Sequence, residues 1–215
     1  MTNIKLAVEK IQLIEGDLLV LGGRPAMGQT TLMVNMAIAL SEHKRILFIS
    51  LEKSKKQLAN YFFNAYTDSF SFVKDKADKV LIIDEGFSIG EIEANIKNYC
   101  ISQGVSIIFI DYLQLIEGER SELLKSLKTI ALYYNVSIVV SIILPRSVEL
   151  RENKRPVLSD LEPLFQNDSL LLNLPDKIIF LYRDAYYNIE KENEVLELIV
   201  AKNRNGELTT VFLQN

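Results

Sequence analysis

Cysteine and histidine are nearly absent: the 215 residues hold one of each, Cys100 and His43. A lone thiol forms no internal disulfide, and without a Cys/His cluster no zinc or redox framework holds the chain together, which fits a reducing cytosol. Cys100 lies in a helical pattern and is expected as core or near-core filler. His43 follows an apolar helix and precedes Lys44 and Arg45, the setting of a solvated helix-end imidazole rather than a ligand or base. Long apolar runs are lacking too. Residues 1–17, MTNIKLAVEKIQLIEGD, break their apolar residues with charges every few positions, so neither a signal peptide nor a membrane span is read there. A cytoplasmic protein with no membrane partner is expected. Nor is there a basic excess: Lys and Arg total 24 against 28 Asp and Glu, a net charge of -4, so any nucleic-acid contact must be local. With no linker, low-complexity tract or repeat, and with 48% hydrophobic and 24% charged residues, the chain reads as a single domain over 1–215.

What is present is a rhythm. The short runs DLLVLG, RILFIS, VLIID, VSIIFIDYL, SIVVSIIL and KIIFLY are apolar on both faces, and amphipathic segments separate most of them. Such runs predict a mainly parallel sheet covered by helices on both sides, an α/β fold. Ile89, Ile92, Ile96, Tyr99 and Cys100 fall at helical spacing within 88–103, as do Leu123, Leu124, Leu127, Ile130 and Ala131 further on. After Asp176 the strands are joined by short polar turns, notably Asn203-Arg204-Asn205-Gly206, and antiparallel hairpins at the sheet edge are expected. The stretch 144–173 is the longest without a strand signal, and is polar and proline-marked, as loops that carry function often are.

Between the first strand and the helix TLMVNMAIAL lies Gly23-Arg24-Pro25-Ala26-Met27-Gly28-Gln29-Thr30-Thr31. Two glycines with four residues between them, then a hydroxyl residue at a strand-to-helix turn, have the spacing of a phosphate-binding P-loop. The glycines let backbone N–H groups turn toward phosphate oxygens, the helix N-terminus adds its dipole, and the Thr30 hydroxyl suits Mg²⁺. The lysine that should follow Gly28 is Gln29. Glutamine donates a neutral hydrogen bond and cannot offset triphosphate charge, so slowed hydrolysis is expected while binding survives. A glycine-rich turn with no ligand is the competing reading.

Taken in order, GRPAMG-TT, ISLEKS, IDYLQL, SVELRENKRPVLSDL, FLYRDAYYN and AKNRNG resemble successive motifs of the DnaB-family replicative helicase motor domain. The resemblance runs from about Gly16 to the C-terminus. It implies a RecA-like P-loop fold, ATP or another NTP with Mg²⁺ as cofactors, and a hexameric ring or an intact helicase as partner. It also implies roles: Glu52 polarises the attacking water, Asp111 holds Mg²⁺ with Thr30, and Lys202 and Arg204 reach a neighbour's nucleotide site. Tyr182 and Arg183 match a nucleotide-site or interface strand end. The family's N-terminal primase-interacting domain and linker helix have no counterpart in this sequence.

Three positions depart from that pattern. Gln29 replaces lysine, Ile143 stands where the family places a polar sensor glutamine, and Glu162-Pro163-Leu164-Phe165 replaces Arg-Glu-Ser-Gly after Ser159-Asp160-Leu161. A carboxylate, a proline and bulky apolar groups there crowd and repel a phosphate. Arg146, Arg151, Lys154 and Arg155 are the remaining candidates for single-stranded DNA, with Glu149 and Glu152 interleaved. Leu164, Phe165, Leu170, Leu171, Leu172 and Leu174 suggest either a protein-contact helix or core burial. Three functions stay open: a DNA-dependent ring NTPase, a non-enzymatic relative of the helicases acting through assembly, and a KaiC- or RadA-like ATPase.

Overall fold

The computed structural model describes residues 2–67, 78–166, 168–188 and 195–214. The described strands are β1 (Leu18–Gly23), β2 (Arg45–Ser50), β3 (Val80–Ile83), β4 (Val105–Asp111), β5 (Ser137–Ile143), β6 (Lys177–Arg183), β7 (Val195–Asn203) and β8 (Thr210–Gln214). The described helices are α1 (Thr2–Ile11), α2 (Gln29–Leu40), α3 (Lys55–Thr67), α4 (Ile89–Gln103) and α5 (Arg120–Tyr133). One sheet holds the strands in the order β3-β2-β4-β5-β1-β6-β7-β8.

The two apolar faces read from the sequence are both used. Along β1, Leu18 and Val20 join one core with α4 and α5, whereas Leu19 and Leu21 join the other with α1, α2 and α3. In β4, Ile108 and Ile110 go to the first core, and Ile107 and Phe109 to the second. Phe109 is fully buried and stacks on Phe48 at 5.6 Å between ring centroids. Truncating it to alanine costs about 3–5 kcal/mol in cores of this kind. Helix α4 begins where Ser88 and Glu91 cap each other's backbone N–H groups, so its start is written in the sequence Ser-Ile-Gly-Glu. The five residues expected to repeat on α5 are all buried.

The edge follows the sequence reading. β6 runs parallel to β1, pairing Leu19 with Lys177, and antiparallel pairing follows, β6 with β7 and β7 with β8. The long stretch before β6 carries the chain back to the sheet's starting end, so β6 enters in the direction of β1. That stretch holds 3-10 turns at Arg146–Leu150, Leu158–Phe165 and Ser169–Asn173. Phe165 and Leu171 are buried and Leu164, Leu172 and Leu174 pack against the same core. Leu170 alone points out, at 73% exposure, so core burial accounts for this cluster.

Candidate phosphate-binding site

The loop between β1 and α2 sits at the C-terminal end of the parallel strands, where β4 and β5 also end. Gly28 holds φ +92, a left-handed conformation that favours glycine, and caps the start of α2. A Cβ there would lie 3.2 Å from the Arg183 guanidinium, which would have to shift slightly, and the conformation itself strains any other residue. Arg183 also donates to the carbonyl of Met27 at 3.2 Å, and thus braces the loop from the end of β6. Met27 is buried beneath the loop, whereas Pro25, Ala26 and Thr31 are exposed.

Two of the expected metal-site residues meet. The Thr30 hydroxyl donates to Asp111 Oδ2 at 2.6 Å, and the hydroxyl of Ser141 on β5 donates to Asp111 Oδ1 at 2.6 Å. Asp111 is 3% exposed, so this carboxylate at the strand end is fixed by hydroxyls from two neighbouring elements. A helix N-terminus, a hydroxyl and a carboxylate acceptor at one point are the donor set for a hydrated Mg²⁺ on a phosphate. Ser141 was not singled out from the sequence, because a serine inside SIVVSI carries no signal of its own there.

Gln29 turns away from the loop's mouth. Its amide nitrogen donates to the Ile142 carbonyl at 2.9 Å and approaches the Gly23 carbonyl at 3.5 Å. The side chain thus ties β1 to β5 from the position where a lysine would face phosphate. Arg24 is likewise held at the rim, donating to the Leu144 carbonyl at 2.7 Å and to Glu149 Oε1 at 3.0 Å. Ile143 lines the cavity beside the loop, and Gln114 clamps its backbone, donating to its carbonyl at 2.8 Å and accepting from its N–H at 3.2 Å.

A cavity of about 340 Å³ opens over these groups. Its lining includes Gly28, Gln29, Thr30, Glu52, Lys53 and Asp111, so Glu52 is brought to the loop as expected. The turn after β2 is set by Ser50, whose hydroxyl donates to the Lys53 carbonyl at 2.7 Å and accepts from the Lys53 N–H at 3.3 Å. Lys53, in the motif but assigned no role from sequence, pairs its ammonium with Glu52 and lies 5.8 Å from the Tyr61 ring centroid. Burial opposes its charge, but Glu52, Asp111 and Tyr61 outweigh this and raise its pKa above the usual lysine value.

Other expected residues lie elsewhere. Lys202 and Arg204 sit at the opposite end of the sheet, near the start of β6, where they donate to the carbonyls of Leu172 and Asn173 at 2.7 and 3.1 Å. They do not reach this chain's own cavity. Arg151 forks onto Asp160 at 2.7 and 2.9 Å, and Arg155 onto Glu197 at 2.6 and 2.8 Å while lying 4.6 Å from the Tyr182 ring. Tyr182 donates to Asp184 at 2.9 Å, and burial and that carboxylate push its phenol up to about 12. Lys154 lies over the Tyr187 ring at 5.5 Å, and Arg146 is exposed beside Glu149 at 3.7 Å. Three of the four basic candidates thus stand in ion pairs of the fold, and Arg151 and Arg155 are forked onto buried carboxylates.

The geometry has counterparts. The family model described as "DnaB-like helicase C terminal domain" matches residues 9–71 and 65–215. A "Probable replicative DNA helicase" of Trieres chinensis is 32% identical over 237 residues, covering 93% of this chain and 51% of that protein. "Replicative DNA helicase DnaB" of Geobacillus stearothermophilus is 32% identical over 230 residues, covering 92% of this chain and 50% of that protein. This chain therefore spans about half the length of these curated relatives. Among solved structures, an ATPase domain superposes with a TM-score of 0.84 at 26% identity, covering 100% of this chain and 87% of that one. A KaiC-like protein of Pyrococcus horikoshii matches at 0.65 and 17% identity, covering 94% of this chain and 88% of that one, and shares the RecA-like fold alone. Among the described residues no helix is long and apolar enough to cross a membrane. The family-model match, the relatives and the loop geometry agree that this chain belongs to the DnaB-like helicase C-terminal domain family.

Proposed function

We propose that the chain binds ATP or another NTP with Mg²⁺ at the 23–30 loop and hydrolyses it slowly, as a DnaB-type domain serving DNA replication. The observation that carries this reading is the 2.6 Å bond from Thr30 to Asp111, which joins the start of α2 to the end of β4 at the loop. Thr30 and Asp111 hold the ion, the loop amides hold phosphate oxygens, and Glu52 orients the attacking water. Bound Mg²⁺ supplies charge neutralisation of the phosphates. Gln29 spends its donor on backbone carbonyls, and loss of one preorganised donor slows such reactions on the order of a hundredfold.

Lys202 and Arg204 lie at the far end of the sheet from the loop, a placement that supports service to a neighbouring subunit rather than to this one. Single-stranded DNA binding has weaker support, since Arg151 and Arg155 are committed to Asp160 and Glu197. That commitment favours, as a second reading, a domain that acts by assembly with copies of itself or with an intact helicase. Titration of the purified chain with a fluorescent ATP analogue, with and without Mg²⁺, while light scattering follows size, tests both. Mg²⁺-dependent saturation with growth to a ring supports the NTPase reading. Absence of binding removes it and leaves assembly.

A further inference from the structure

We infer that Lys53 supplies the phosphate-facing positive charge that position 29 lacks, contacting the terminal phosphates of a nucleoside triphosphate from the end of β2. The inference rests on the nucleotide-binding reading above and names the residue that makes the site selective for triphosphates.

Charge in the cavity leaves little choice. Among the described residues its lining holds two carboxylates, Glu52 and Asp111, and one cation, Lys53. Without Lys53 the ionisable side chains described in that lining would be acidic only, leaving the loop amides and bound Mg²⁺ as the sole counterweight to a triphosphate. Two other described cations near the loop are occupied as struts: Arg24 binds the Leu144 carbonyl and Glu149, and Arg183 binds the Met27 carbonyl from behind Gly28. Gln29 directs its amide at Ile142.

Lys53 is placed to act. Its backbone is fixed at both its N–H and its carbonyl by the Ser50 hydroxyl, so the side chain springs from a rigid turn at the sheet's C-terminal end. Its side chain is 22% exposed, open to the cavity yet shielded enough for a charge contact to exceed that of a free surface lysine. An ammonium has three donors, and Glu52 takes one. A phosphate oxygen accepting another draws Lys53 toward the ligand and loosens its hold on Glu52, which leaves that carboxylate freer to orient water. The two acidic neighbours and the absent loop lysine therefore share one explanation.

The test compares wild type, Lys53→Met and Lys53→Arg by competition of ATP, ADP and AMP against the fluorescent ATP analogue with Mg²⁺, alongside their thermal midpoints. Lys53→Met is expected to weaken ATP by about tenfold to a hundredfold, the range for losing a charge-assisted contact. AMP affinity and the midpoint should be nearly unchanged, and Lys53→Arg should recover much of the ATP affinity. ATP binding by Lys53→Met within twofold of wild type overturns the inference while leaving the nucleotide site standing. Equal losses for ATP and AMP also overturn it, because they signal damage to the turn. Wild-type protein that binds none of the three refutes the nucleotide reading itself, and the inference with it.

Discussion

Replacing Gln29 with lysine probes the loop most informatively. In the present structure the Gln29 amide makes a neutral bond to the Ile142 carbonyl at 2.9 Å. A lysine at that site has three donors, so it can keep the Ile142 carbonyl satisfied while pointing another at a phosphate. Its stem follows the path of the glutamine past Gly23, whose missing side chain leaves room only for that groove: a Cβ on Gly23 would lie 3.2 Å from the Gln29 side chain. A neutral hydrogen bond contributes about 0.5–1.5 kcal/mol net and one to a charged group about 1.5–3. Because the Ile142 bond is kept and touches no ligand, the new phosphate contact should add about 1.5–3 kcal/mol, or roughly tenfold to a hundredfold in affinity. The added cation also offsets one of the two carboxylates in the cavity lining. The assay is equilibrium titration with Mg²⁺ and a fluorescent ATP analogue, on folded protein checked by circular dichroism. Unchanged affinity in a folded variant would mean that bound phosphates never come within reach of position 29, and the placement of nucleotide at the loop would fall.

Three further outcomes are expected. Asp111→Asn should abolish the enhancement of nucleotide binding by Mg²⁺ while keeping the Thr30 contact in shape; a variant that still responds to Mg²⁺ places the ion elsewhere. Arg155→Ala should destabilise the fold by about 1–2 kcal/mol in chemical denaturation, less than the 3–5 of a fully buried pair because Arg155 is 43% exposed; a change under about 0.5 kcal/mol would return Arg155 to the pool of candidate DNA contacts. Burial opposes the charge of Asp176, but bonds from Lys128 and the Leu18 amide and the nearby Arg204 hold its pKa below the usual carboxylate value. A depressed folded pKa gives stability that is present above the unfolded value of about 3.9 and is lost as pH falls through the folded one. Asp176→Asn should therefore be less stable than wild type at pH 7, with the gap narrowing as pH falls below about 4; a gap independent of pH refutes the assignment.

Much of this was legible in the residues. Strands apolar on both faces announced a parallel sheet, and Gly23, Gly28 and Thr30 between a strand and a helix announced the loop, because backbone geometry dictates those residue types. The direction of β6 was legible as well: KIIFLY is apolar on both faces like the parallel runs before it, and β6 pairs in parallel with β1. Lys53 and Ser141 were silent: each is an ordinary residue in its own segment and gains meaning only when β2, β4 and β5 end side by side. Gln29 was legible as a loss of charge but not as a tie to Ile142. The basic cluster misled in part, since Asp160 and Glu197 lie 9 and 42 residues from the arginines they bind.

The most direct test of the account is phosphate release by wild type and Gln29→Lys at saturating Mg²⁺–ATP, each with and without single-stranded DNA. Slow release by wild type despite saturation, with a faster Gln29→Lys, is what a DnaB-type site lacking its loop lysine predicts. Rapid, DNA-stimulated release by wild type that Gln29→Lys does not improve would contradict it, and would show that Gln29 imposes no brake on turnover.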